Sequence, residues 1–215
     1  MLKGIIFDFD GTLAETNTLI LEAMKRTFME LFGNYSDEQL MNCIGPPLVA
    51  TGIAWYPQDP QFFVDTYRKH QLELHDDMIT AYPSVIEMLD KLHKMDLKLA
   101  IVTSKKRDVF LKGLHKLDME KYFDATVAED DVTNHKPDPE SMNLVLSQLG
   151  LSADECMMIG DNYHDILAAR AVEMKSVAVG WAIKGLDYLK EYNPDFIMHD
   201  SFDIFEIIEN FNSSF

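Results

Sequence analysis

The chain has 215 residues, of which 47% are hydrophobic, and a formal net charge of −17 at pH 7. Its length is enough for one full domain and a smaller module, and its apolar content is enough for a sizeable core. So acidic a composition argues against an overall basic surface for nucleic acid and against binding to anionic membranes.

Apolar stretches that recur along the chain predict the strands of a sheet. They are the segments 3–9, 97–103, 124–129, 155–161 and 175–181, with a weaker sixth segment at 195–200. Most are apolar throughout, which is typical of strands covered on both faces of a parallel sheet. Helical patterns lie between them at 84–95, 107–117, 139–150 and 165–174. This alternation predicts an α/β fold with a Rossmann-like, doubly wound parallel sheet.

One long segment lacks strand patterns and predicts a separate helical module. We expect four helices there, at 16–32, 36–43, 47–55 and 60–75. The predicted organisation is therefore a core domain of residues 1–14 and 79–215, with a helical domain of residues 15–78 inserted after the first strand.

Polar side chains follow the predicted strands at the edge where open parallel sheets bind ligands. The first strand ends in the sequence DFDGT, the second in TSK and the fourth in GDNYHD, while NHKPDP follows the third. These segments supply Asp8, Asp10, Gly11, Thr12, Thr103, Ser104, Lys136, Asp161 and Asp165.

These side chains suit phosphoryl transfer. Clustered carboxylates without Cys or His partners are typical of Mg²⁺ sites. An aspartate beside such a metal can attack phosphorus and form an aspartyl-phosphate. The metal and a lysine then offset the charge of the phosphoryl oxygens. Gly11 would allow a tight turn whose backbone N–H groups approach the phosphate, and the Thr103 hydroxyl could donate to it.

Each signal also has a simpler interpretation when it is taken alone. Asp8 and Asp10 could form a solvated turn at the end of a strand. Thr103 and Ser104 could cap the following helix, and Lys136 could be an ordinary surface lysine. We interpret the basic run at 105–107 as a solvated helix start.

In this order, the motifs resemble those of the haloacid dehalogenase superfamily of phosphohydrolases. DFDGT looks like the first motif, Thr103 the second, Lys136 in KPDP the third and GDNYHD the fourth. The inserted helices look like the small helical cap of that superfamily. The resemblance covers nearly the whole chain and marks it as a phosphatase or phosphomutase, because the dehalogenases lack an aspartate at the position of Asp10.

The resemblance also implies roles for the acidic residues. Asp8 would be the nucleophile and Asp10 the general acid and base. Mg²⁺ would be held by Asp8, the backbone carbonyl of Asp10 and Asp161. Asp165 would lie near the metal through a water or bind its neighbours.

A narrower resemblance points to the inorganic pyrophosphatase branch, which is related to the phosphoglycolate phosphatases. It rests on TN at 16–17, IGPPL at 44–48, VTSKKRD, EDDVTNHKPDPE, GDNYHDILAAR and VGWAIKG. The chain departs from the usual pattern where Ser84, instead of glycine, follows Tyr82-Pro83. The expected reaction is Mg²⁺-dependent hydrolysis of pyrophosphate. The alternatives are phosphoglycolate or another phosphomonoester, a β-phosphoglucomutase-like phosphomutase, and a binding module without activity.

Further expectations concern substrate contacts and partners. Gly11, Thr12, Ser104 and Asn17 are the expected substrate-binding residues, and the backbone near Gly45 is a further candidate for the leaving phosphate. We expect a small phosphorylated substrate or pyrophosphate as partner, no nucleic acid, no membrane, and a monomer or weak dimer. The chain has only two cysteines and no CxxC pair, which indicates reduced thiols and a cytoplasmic location.

Overall fold

The apolar stretches form a six-stranded sheet in which every described pair of neighbouring strands is parallel. Its strands are β1 (Gly4–Phe7), β4 (Lys98–Val102), β5 (Ala125–Val127), β6 (Cys156–Gly160), β7 (Lys175–Val179) and β8 (Phe196–Met198), in the order β5-β4-β1-β6-β7-β8. Because β1 lies between β4 and β6, three segments that are far apart in the sequence end side by side. The predicted α/β fold is confirmed in this computed structural model, which describes residues 1–41, 43–44 and 48–213.

Helices follow the strands and bury the faces of the sheet. They are α5 (Val85–Leu92), α6 (Arg107–Lys116), α7 (Glu140–Leu149), α8 (Tyr163–Ala171), α9 (Leu186–Lys190) and α10 (Asp203–Ser213). One apolar core joins Ile6 of β1 and Met158 of β6 to Val145 of α7 and Ala169 of α8. This packing fixes the strand ends from which the polar side chains project.

The chain divides into two compact units, Met1–Glu15 with Ala81–Phe215, and Thr16–Thr80. The second unit contains α1 (Asn17–Leu31), α2 (Asp37–Met41), α3 (Leu48–Trp55) and α4 (Pro60–Met78). Its core surrounds Phe28, which packs against Phe63 and Trp55. Gly45, Pro46 and Pro47 of the IGPPL segment lie outside the described residues. That this unit acts as a cap stays a prediction.

Short strands occur where the chain leaves and re-enters the first unit. β2 (Ala14–Glu15) and β3 (Thr80–Ala81) form a two-stranded sheet that the sequence patterns did not predict. Two residues are too few to show a periodic pattern, which explains the omission. Among the described residues, we find no helix with the length and apolar character that crossing a membrane would require.

The turn after β3 places Ser84 in a backbone conformation that favours glycine. Ser84 precedes α5 with φ of +62°, in the left-handed region that costs a residue with a Cβ about 1–2 kcal/mol. Its side chain makes no capping hydrogen bond that would offset this cost. The chain therefore carries local backbone strain where it re-enters the first unit.

Ser84→Gly should relieve this strain, but glycine also gains conformational freedom in the unfolded chain, which offsets part of the effect. The net free energy of unfolding should therefore rise by about 0.5–1 kcal/mol. Urea unfolding followed by circular dichroism measures the change. Ser152→Gly is the matched control. Ser152 has φ of −92°, so this substitution relieves no strain and should lower the free energy of unfolding. Equal effects of the two substitutions would contradict the interpretation.

Candidate active site

The turn after β1 carries the first two aspartates. Asp8 follows the last residue of β1, and its backbone N–H donates to the Ile159 carbonyl at 2.9 Å, so that it is anchored to β6. Gly11 has φ of +77°, and its N–H donates to the Ala14 carbonyl at 2.9 Å. The chain thus turns sharply while the Asp8 carboxylate stays buried, only 9% exposed.

The end of β6 brings two more carboxylates to the same edge. In the parallel register Phe7 lies beside Ile159, so Asp161 comes just beyond the neighbouring strand end. Asn162 caps α8, and the Asp165 carboxylate accepts the Asn162 N–H through Oδ2 at 3.0 Å in a capping box. The cap starts α8 at Tyr163, two residues before the predicted start, and aims Asp165 back at the sheet.

Lys136 joins the carboxylates into one cluster. Its Nζ donates to Asp165 Oδ1 at 2.6 Å and to the Val102 carbonyl at 3.0 Å. It also lies 3.1 Å from Asp8 Oδ1 as an ion pair, although no hydrogen bond to that buried oxygen is found among the described residues. Carboxylate oxygens of Asp8, Asp161 and Asp165 lie within 4.8 Å of one another. We call these three aspartates the acidic cluster.

The electrostatics of the acidic cluster follow from burial and crowding. Burial raises the pKa of Asp8 to about 7, with Lys136 opposing and Asp165 and Asp10 adding to the rise. Burial and then the neighbouring carboxylates also raise the pKa of Asp161 well above its ordinary value. For Lys136, burial alone would lower the pKa, but Asp165 and Asp8 reverse the sign and raise it. Asp8 and Asp161 therefore resist ionisation unless more positive charge is present.

The composition of the cluster fits a magnesium ion. Three buried carboxylates face one lysine, which leaves an excess of two negative charges when all are ionised. Asp8 Oδ1 has an ion-pair contact with Lys136 but no hydrogen bond among the described residues, so this hard oxygen can still serve as a ligand. Asp165 is a weaker candidate ligand, because both of its oxygens already accept hydrogen bonds, from Lys136 and from the Asn162 N–H.

Asp10 has a buried partner that the sequence analysis missed. Lys105 Nζ donates to Asp10 Oδ1 at 2.7 Å, and the Lys105 side chain is 5% exposed. The interpretation of 105–107 as a solvated helix start is therefore wrong for Lys105. Arg107 does begin α6 and is partly exposed, although it also pairs with Asp131 and donates to the Thr126 carbonyl. The position of Lys105, two residues after a strand-end threonine, was the signal that could have revealed it.

The remaining predicted site residues differ in their surroundings. Thr103 is buried, and its Oγ1 accepts the Lys105 N–H at 3.2 Å, which leaves its hydroxyl proton available. Thr12 is buried with no partner for its Oγ1 among the described residues, while its carbonyl accepts from Trp181 Nε1 at 3.2 Å. Ser104 is exposed on the same edge. Asn17 begins α1 in the second unit, and its role stays a prediction.

Comparison with known proteins gives the family. A family model described as haloacid dehalogenase-like hydrolase matches residues 5–179. The chain belongs to this family. The pyrophosphatase PpaX of Halalkalibacterium halodurans is 39% identical over 208 residues, which cover 96% of this chain and 97% of that protein. The PpaX pyrophosphatase of Bacillus pumilus is 40% identical over 208 residues, or 96% of each chain.

A solved structure agrees on the fold. The haloacid dehalogenase-like hydrolase from Streptococcus pneumoniae has a TM-score of 0.86 and 24% identity, and the match covers 96% of this chain and 98% of that one. The expected resemblance is confirmed, and the chain is a phosphatase of the haloacid dehalogenase type. Phosphatases of this family generally use Mg²⁺, and this chain has a buried group of three aspartates.

Two glycines leave the space in which the carboxylates sit. A Cβ at Gly11 would lie 2.6 Å from Asp161 Cγ, and a Cβ at Gly160 would collide with the Asp165 carboxylate. Gly11→Ala and Gly160→Ala should therefore displace Asp161 and Asp165, and lower kcat/KM for an aryl phosphate by about 100-fold or more.

Gly150→Ala is the matched control for Gly11→Ala. Gly150 also has positive φ, +65°, but nothing lies within 4 Å of its Cβ position. Gly150→Ala should lower the free energy of unfolding by about 1–2 kcal/mol and leave kcat/KM unchanged. Hydrolysis rates together with thermal unfolding separate the two effects. If Gly11→Ala loses only stability, Gly11 does not position Asp161.

Proposed function

We propose that this phosphatase hydrolyses inorganic pyrophosphate in a Mg²⁺-dependent reaction that passes through a phosphorylated Asp8. The observation that carries the chemistry is the acidic cluster, whose buried carboxylates exceed their lysine by two charges. The choice of pyrophosphate is supported by the relatives named pyrophosphatase, which match this chain over nearly its whole length.

In this proposal, Asp8, Asp161 and the backbone carbonyl of Asp10 hold the metal. Bound Mg²⁺ supplies the positive charge that keeps the buried carboxylates ionised and neutralises the phosphoryl oxygens. Asp165 belongs to the metal site chiefly through Lys136, which it fixes with a 2.6 Å hydrogen bond. Of the two roles expected for Asp165, this contact supports binding of its neighbours.

The reaction assigns complementary roles to the two aspartates of the β1 turn. An Asp8 carboxylate oxygen attacks phosphorus, and the bond from phosphorus to the bridging oxygen breaks. Asp10 donates a proton to the departing oxygen, then takes one from the water that attacks the aspartyl-phosphate and regenerates Asp8. Lys136, which reaches Asp8 at 3.1 Å, orients the nucleophile and offsets phosphoryl charge.

The other predicted residues bind the phosphoryl group or the substrate. We assign a donor role to the Thr103 hydroxyl, whose proton is not used within the described part of the chain. The turn at Gly11 and the unpartnered Thr12 hydroxyl are candidates for the phosphoryl oxygens, and Ser104 for the substrate. Asn17 is the candidate contact for the leaving phosphate from the second unit. A monomer or weak dimer remains the expected assembly.

Asp8→Asn should lower kcat by several orders of magnitude and leave the fold intact. The asparagine amide is a poor nucleophile. The substitution also removes one of three buried negative charges that repel one another. In chelator, its thermal unfolding midpoint should equal or exceed that of the wild type. Asp96→Asn is the control, because it removes the same charge from an exposed position and should change neither property.

Trapping the intermediate checks the same assignment chemically. Labelled substrate followed by acid quenching and peptide mapping should place the phosphoryl group on Asp8. Label on a histidine or serine would overturn the proposed mechanism even if Asp8→Asn were inactive.

A substrate panel with and without metal tests the proposed function directly. Purified protein in Mg²⁺ should hydrolyse pyrophosphate with a kcat/KM at least about tenfold above that for 2-phosphoglycolate or a hexose phosphate, a difference of roughly 1.4 kcal/mol in transition-state binding. A chelator should abolish turnover and added Mg²⁺ should restore it. Ca²⁺ should inhibit, because its larger and looser coordination shell misplaces the attacking oxygen.

The outcomes discriminate among the candidate reactions. A tenfold preference for phosphoglycolate would replace the pyrophosphatase assignment and keep the chemistry. Phosphoryl transfer to a sugar hydroxyl without release of free phosphate would indicate a phosphomutase. Full activity in chelator would refute the metal requirement.

A further inference from the structure

Lys184 lies on the same edge of the sheet as the acidic cluster. It follows β7, the strand that pairs with β6 on the side away from β1. Gly160 lies beside Ala178 in that pairing, so the segment after Val179 leaves the sheet next to Asp161. Lys184 comes five residues later, just before α9, and all of these residues belong to the first unit.

The Lys184 ammonium is held in place by an aromatic ring. Its Nζ lies 5.5 Å from the centroid of the Tyr188 ring, within the range of a cation–π contact. Tyr188 is itself fixed by edge contacts with Tyr163 and Tyr192, at centroid distances of 6.3 and 5.4 Å. The lysine therefore has an ordered support on α9.

Lys184 is half-buried and lacks an ion-pair partner. No carboxylate of the described residues lies within 4.0 Å of its Nζ, whereas Lys190, on the same helix as Tyr188, pairs with Asp187 at 2.9 Å. Burial lowers the pKa of Lys184, and the charge of Asp161 partly opposes this. Lys184 therefore lies on the Asp161 side of the sheet edge without forming an ion pair with Asp161.

The charge balance between the acidic cluster, its cations and the substrate bears on the role of Lys184. A divalent ion would neutralise the acidic cluster with Lys136, and Lys105 is committed to Asp10. A diphosphate substrate brings more negative charge into the site than a monophosphate does. In a chain with net charge −17, an ordered cation without a carboxylate partner is suited to meet the additional phosphate.

From this geometry we propose that Lys184 binds the second, non-transferred phosphate of a diphosphate substrate and so contributes to selection against monophosphates. Tyr188 is the positioning residue that holds the ammonium at the rim of the acidic cluster. The proposal rests on the proposed function for its substrate class, but it concerns binding and can be tested without turnover.

Calorimetric titration with imidodiphosphate, a diphosphate analogue with a nitrogen bridge, is the direct test. In Mg²⁺, Lys184→Gln should weaken its binding by about tenfold or more, as expected for loss of a charge-assisted contact. Lys184→Arg should keep most of the affinity. Lys190→Gln changes the net charge equally from an exposed site nearby and should keep all of it. Orthophosphate binding should change by less than about twofold in all three variants.

The possible results separate this proposal from the proposed function. Unchanged imidodiphosphate affinity in Lys184→Gln, equal losses for imidodiphosphate and orthophosphate, or no binding by the wild type would each overturn the role of Lys184. Wild-type protein that binds imidodiphosphate through Lys184 but does not hydrolyse pyrophosphate would support the role and sink the pyrophosphatase assignment. If Lys184→Gln leaves pyrophosphate hydrolysis intact, the pyrophosphatase assignment stands and the role of Lys184 is overturned.

Discussion

The burial of three carboxylates beside a single lysine is the constraint on which the rest of the site depends. Like charges in a poorly solvated space oppose one another, and Lys136 compensates only part of that cost. The fold must therefore hold the carboxylates together by other means, which are the anchoring of Asp8 to β6, the capping box of Asp165 and the packing of Asp161 against Gly11. A cation bound in the proposed way would relieve a repulsion that the fold has already assembled.

Much of this arrangement could be predicted from the sequence, because it follows from strand order and strand ends. Continuous apolar segments identified the sheet, and the acidic residues directly after them identified its functional edge. Asp8 and Asp161 were predictable neighbours, since motifs at the ends of parallel strands converge.

The parts that could not be predicted depend on side-chain direction and on local capping. A lysine at position 105 is equally compatible with a solvated helix start and with a buried pair, and only the backbone path after β4 brings it to Asp10. The early start of α8 depends on Asn162, whose capping role competes with an ordinary loop in the sequence pattern. Likewise, Lys184 lies in the VGWAIKG segment, but the strand before it has no acidic residue at its end, so the sequence pattern did not indicate a site role for it.

The central position of β1 has a consequence for how the protein is made. This strand is synthesised before the other five of the sheet, yet one of its edges pairs with β4 and the other with β6, which ends at residue 160. Until β6 is synthesised, the apolar strand has an open edge on which another chain could pair. The nascent chain thus carries its first acidic motif on a strand that lacks its second partner until β6 is made. This exposure follows from the strand order itself and is independent of the chemistry of the finished site.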